Sequence, residues 1–192
     1  MNKVIEVTEN DVKAAFQAAK TDEMKEVLAA LFCKREAPTL DNYKTIKSYE
    51  DACEALGVPT IKPDMNLPKH VVALMKLETV SKALWGKNFD PMPDPKGEKC
   101  YWYPFFALYT KDEIERLNEV QRGALLSATA NHGTIAGFGC LNTNSRSLYA
   151  NAIVGFRLCQ ETEEKAQYFG AQFIELWAEY LSYNFTTGER IK

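Results

Sequence analysis

The sequence predicts an α+β protein: a helical N-terminal part, then a small antiparallel sheet packed by a long C-terminal helix. Three observations lead there. Apolar residues recur at helical spacing as far as Trp85, and three prolines at alternate positions, Pro91, Pro93 and Pro95, then interrupt the chain. Beyond them come aromatic and glycine-punctuated runs that end in one strongly amphipathic stretch. The 192 residues, 46% hydrophobic and 26% charged, fit an ordinary globular protein and exclude a disordered, collagen-like or membrane-embedded chain. A single domain over 1–192 is expected, with an inner boundary at 90–97 separating 1–89 from 98–192.

Each element follows from local chemistry. Val12, Ala15, Phe16 and Ala19, then Met24, Val27, Leu28 and Leu31, repeat the i, i+3, i+4, i+7 spacing of one helix face, so two short helices should form a hairpin about Lys20-Thr21-Asp22. Thr8 and Thr21 precede them as caps, with acids in the first turns where the helix end is positive. Residues 37–42, with Pro38, read as a loop. Ser48 opens and Gly57 closes a helix over 49–56. The segment 58–68 holds Pro59, Pro63 and Pro68 yet is too apolar for a free linker, so it should lie packed on the surface. Pro68 can open a helix to Trp85 that is apolar around much of its circumference and belongs near the centre.

The second half follows a different pattern. Residues 100–109 read as a strand, with Pro104 marking an edge position or a bulge because proline cannot donate to the ladder. Residues 111–117 make one or two helical turns, and 125–130, 134–141 and 148–158 are the remaining strand candidates. Glycines at 133, 137, 139 and 155 allow tight turns, bulges or close backbone approach. Thr162 caps the last helix, whose buried face runs Ala166, Phe169, Gly170, Phe173, Trp177, Tyr180 and Leu181. Glycine inside a helix costs about 1 kcal/mol against alanine, so a second backbone or a large aromatic should approach Gly170.

Twenty-three basic against twenty-six acidic residues give a net charge of -3, which excludes a global field for polyanions. The average conceals a split. Residues 120–160 contain no aspartate or glutamate but carry Arg122, Arg146, Arg157 and His132, a local charge of about +3. Asparagines and serines of the same stretch add hydrogen-bond donors, and Trp102, if it shares that surface, offers a ring on which a base stacks. Arg122, His132, Arg146, Arg157 and Trp102 are therefore the candidate ligand-binding residues. The plainer reading makes the aromatics core and the arginines solvated or carboxylate-paired.

Other chemistries find little support. Gly133–Gly139 lacks the Gly-Lys-Ser/Thr ending of a phosphate loop, and Asn142 stands where a dinucleotide fingerprint needs glycine. The carboxylate pairs Glu50/Asp51, Asp112/Glu113 and Glu163/Glu164 fall in first turns of expected helices, where the dipole explains them. Five scattered cysteines and two histidines form no metal or redox spacing, so no metal and no cofactor is expected and the cysteines read as buried free thiols. The rival to a non-enzymatic binding or assembly protein is an enzyme of unfamiliar motif using His132 with Cys140 or Cys159. The first residues lack the apolar core of a signal peptide and no run is long enough to span a membrane, so a cytoplasmic protein is expected, without membrane contact. Its expected partners are a protein or a second copy, with nucleic acid as a further class.

Three blocks carry a resemblance: residues 48–57 (SYEDACEALG), 101–106 (YWYPFF), and 156–160 (FRLCQ) leading into 163–173 (EEKAQYFGAQF). Over 48–180 the chain resembles a family of uncharacterised proteins of gut Bacteroidetes and their phages and prophage-like elements. The resemblance implies a protein of mobile elements and brings no activity, ligand or site residue with it.

Overall fold

The computed structural model describes residues 7–32, 37–62, 66–91, 96, 98–130, 133–147 and 156–191. The chain divides into two compact units, Met1–Ala37 and Pro38–Lys192.

The first unit is the expected hairpin, α1 (Glu9–Ala18) and α2 (Asp22–Phe32). Thr8 caps α1 reciprocally: its hydroxyl accepts from the Asp11 amide while the Asp11 carboxylate accepts from the Thr8 amide. Thr21 accepts from the Met24 amide at 3.3 Å and opens α2.

In the second unit, Ser48 and Asp51 form a capping box that starts α3 (Tyr49–Leu56), and Gly57 ends it at φ 66°, a left-handed conformation open to glycine. Pro68 stands at the N-cap of α4 (Lys69–Trp85), whose Leu77, Val80, Ala83 and Leu84 are fully buried. Strand β1 (Cys100–Thr110) is followed by two helical turns, α5 (Lys111–Glu115) and α6 (Glu119–Gly123), then β2 (Leu125–Ala130) and β3 (Ile135–Ser147). The C-terminal helix is present but interrupted at Phe173 into α7 (Glu163–Gln172) and α8 (Ile174–Leu181). A further strand, β4 (Phe185–Arg190), closes the chain.

The sheet is antiparallel in the order β1-β3-β2-β4. Pro104 lies on the edge strand β1, next to a register shift between Phe105 and Ala107, so edge and bulge are both observed. Of the candidate strand 148–158, residues 148–155 lie outside the described residues. Phe156–Leu158 forms a 3-10 turn instead, because Leu158 is drawn into the core beside α4 rather than held in a ladder.

Helices α7 and α8 form the middle of three layers. Phe169, Phe173 and Trp177 pack with Ile46, α3 and α4 on one side, while Ile174 and Ala178 meet Leu126, Ala128 and Phe138 of the sheet on the other. Residues 90–97 thus separate two stretches that share one core. The close approach expected at Gly170 is present, but neither a backbone nor a large aromatic makes it: a β-carbon there would lie 2.8 Å from Pro104 Cβ and 2.9 Å from Cys140 Cβ, side chains of the sheet. Gly137 and Gly139 make similar room for Ile114 and Leu125.

A buried polar seam ties the helices to β1. The Trp85 indole donates to the Cys159 carbonyl, and Gln160 Nε2 donates to Ser81 Oγ at 2.8 Å. Trp102 and Gln160 exchange both backbone hydrogen bonds, at 2.8 and 2.6 Å.

Candidate functional site

A cleft in the second unit lies between α3, α4 and the 3-10 turn. Gly57 reverses the chain so that Val58, Pro59 and Ile61 run back along α3, and the Ile61 amide donates to Tyr49 Oη at 2.8 Å. Met75, Glu78, Thr79 and Lys82 stand at i, i+3, i+4 and i+7 of α4, which places them on one helix face and makes them the opposite wall. Phe89 packs edge-on against Trp85 with ring centroids 5.3 Å apart and closes one end. The cleft is open to solvent and its volume is about 490 Å³, inside the roughly 300–1,000 Å³ span of small-ligand sites.

Arg157 projects to this cleft from the 3-10 turn and meets the Glu78 carboxylate at 3.3 Å. Its side chain is 74% exposed and that of Glu78 33%. Such a solvated pair is worth about 0–1 kcal/mol, so an incoming anion can displace the carboxylate at little cost. Two cations, Lys82 and Arg157, face one anion, Glu78, over an apolar floor. Burial pushes the Tyr49 phenol up to about 12, reinforced by its hydrogen bond with Cys53.

The other sequence candidates fall in several places. Trp102 is half-buried on β1, and Arg146 is the β3 position opposite Tyr101, one residue along the register from Trp102. Both belong to the sheet end that the Trp102–Gln160 pair joins to the 3-10 turn bearing Arg157. Arg122 lies apart. It lies in the last turn of α6, and Leu125, three residues on, pairs with Gly139, seven strand positions from Arg146. His132 lies outside the described residues.

The thiols do not all match expectation. Cys53, Cys140 and Cys159 are buried, but Cys100, the first residue of an edge strand, is exposed. Burial pushes the Cys140 thiol up to about 11 and the Cys159 thiol up to about 12. Thiols held protonated in this way are weak nucleophiles at neutral pH. Among the described residues no three His, Cys, Asp or Glu side chains gather as a metal site needs, and no helix is long and apolar enough to cross a membrane.

Comparison with family models, curated proteins and solved structures finds no match to this chain. The site therefore stands on its geometry.

The acid-free stretch directed attention to Arg157 but not to the wall it faces. Lys82, Glu78, Met75 and Phe89 read as ordinary helix-surface and loop residues. Two signals were present: the mixed polar face at 75, 78, 79 and 82, and a proline-rich segment too apolar to be free.

Proposed function

We propose that the chain is a non-enzymatic binding module that takes an anionic partner, with single-stranded nucleic acid as the class it suits best. The observation that carries this reading is the cleft of about 490 Å³ lined by Lys82 and Arg157, with the half-buried Phe89 ring among its walls. Cations beside aromatic and apolar surface fit a ligand that combines phosphate with a planar base. Glu78 holds Arg157 over the opening without locking it there. The resemblance to proteins of gut Bacteroidetes phages and prophage-like elements favours a mobile-element setting, in which such modules are common.

The test is fluorescence anisotropy of a labelled single-stranded oligonucleotide at low salt. Binding that weakens as salt rises is expected, with a loss on the order of several-fold for Arg157→Ala and for Lys82→Ala, and a similar loss for Arg146→Ala if the strand continues along the sheet end. No binding by the unaltered protein at low salt would remove nucleic acid as the partner. The rival enzyme reading requires a reactive thiolate, and burial of Cys140 and Cys159 weighs against it.

A further inference from the structure

An anion that takes Arg157 leaves the Glu78 carboxylate behind. Both Glu78 oxygens, Oε1 and Oε2, accept from Arg157 Nη1, at 3.4 and 3.3 Å, so they face the same donor across the cleft. The Glu78 side chain is 33% exposed, in a wall whose other members include the apolar Leu56, Val58, Ile61 and Met75. A carboxylate so placed loses a charge-assisted partner when a phosphate engages Arg157, and binding weakens unless the ligand returns donors to it. Lys82, one turn further along α4, has no ion-pair partner among the described residues and is left for the phosphate. Two cations and one anion leave the cleft a single positive charge, and a phosphodiester supplies the single negative one.

The ligand that satisfies every group therefore carries an anion for Lys82 and Arg157 and a pair of hydrogen-bond donors for Glu78. Nucleobases meet the second demand unequally. Guanine presents N1–H and its 2-amino group side by side, two parallel donors for two carboxylate oxygens. Adenine and cytosine set one amino donor beside an acceptor nitrogen, and thymine sets one N–H between two carbonyls, so each turns a lone pair toward Glu78. Bases of a single strand are free to be read on this edge. A cleft of about 490 Å³ has the volume for one nucleotide rather than a stacked run, and half-buried Phe89 with Val58, 41% exposed, offers the base apolar surface.

We infer that Glu78 is a specificity-determining residue: the cleft takes one guanine nucleotide of a single strand, its phosphate on Lys82 and Arg157 and its Watson–Crick edge on the Glu78 carboxylate. The inference rests on the binding reading above and adds base identity to it. In the empty protein Glu78 and Arg157 satisfy each other; in the filled one, base and phosphate divide the pair.

The test is fluorescence anisotropy with short thymine strands that differ only in the central base: guanine, hypoxanthine, adenine or thymine. At low salt the guanine strand should bind about five- to tenfold tighter than the adenine and thymine strands, the low end for a bidentate contact, because the cleft is open to solvent. Hypoxanthine, which lacks the 2-amino group, should fall between. Glutamine offers one acceptor and one donor, the complement of adenine's edge, so Glu78→Gln should move the preference from guanine to adenine. Lys82→Ala should weaken every strand by a similar factor and keep their order. Equal binding of all four strands by the unaltered protein, or a guanine preference that survives Glu78→Gln, would overturn the assignment and leave the binding reading in place. Failure of every strand to bind at low salt would overturn both.

Discussion

Gly170 sits where α7 crosses the sheet, and the space for one methyl group there is already taken by Pro104 and Cys140. Gly170→Ala gains about 1 kcal/mol of helix propensity. It must also push two sheet side chains aside, and overpacking of this kind costs about 1–3 kcal/mol. We expect a net loss in the urea midpoint, partly recovered when Cys140→Ala is added. A stabilised single variant would mean that helix and sheet can separate freely. The cysteines give a second prediction at this scale. Exposed Cys100 should react with a thiol reagent well before Cys140 and Cys159, whose burial keeps them protonated. Equal rates for all three in the folded protein would contradict the buried placement of the latter two.

At the scale of elements, α3 depends on its cap. Asp51 is 1% exposed, and its carboxylate accepts from the Lys47 and Ser48 amides, both at 2.9 Å. Ser48→Ala removes one cap bond and should cost about 1 kcal/mol. Asp51→Ala leaves the part-buried amides of Lys47 and Ser48 without their carboxylate partner and should cost about 2–3 kcal/mol. Thermal melts followed by circular dichroism check the order; equal losses would show that water reaches the site. This helix was fully legible in the sequence, because Ser48 and Gly57 are chemically suited to its two ends. The break at Phe173 was not. Phe169, Phe173 and Trp177 keep a four-residue spacing straight through it, so the periodicity carries no mark of the interruption. Strand β4 was hidden for the opposite reason: it is a mostly exposed edge strand whose Thr186, Gly188, Glu189 and Arg190 resemble a loop. Arg190 closes it onto α8 through Glu175 at 2.9 Å, a contact between residues whose proximity no local pattern announces.

At the scale of the whole molecule, burial of protonated groups makes stability depend on alkaline pH. Cys140, Cys159 and Tyr49 are held at about 11, 12 and 12, above the ordinary thiol and phenol ranges, chiefly by removal from water. Above about pH 9 the unfolded chain releases thiol protons that the folded protein retains, so it binds fewer protons than the native state. The contribution of these three groups should therefore be constant below that point and fall as pH rises toward 11 and 12. Urea midpoints at pH 8 and pH 10 measure this, and a midpoint that rises with pH would contradict it. The candidate site was only half legible at this scale. Arg157 stood out through the missing acids around it, whereas Lys82 and Phe89 gain meaning only when α4 and the 3-10 turn meet, seventy-odd positions apart in the chain.

The three-layer arrangement also bears on synthesis. Helix α4 presents Leu77, Val80 and Leu84 to partners on α7 and α8, which leave the ribosome roughly ninety residues later. At about 5–20 residues per second, that apolar surface waits roughly 5–20 s for its cover. During this interval the nascent chain exposes a sticky helix, and a chaperone that holds such surfaces would engage it before the sheet exists. Expression yield should accordingly respond more to slowed translation across 90–180 than to slowed translation after Leu181, once every helix of the core has been made.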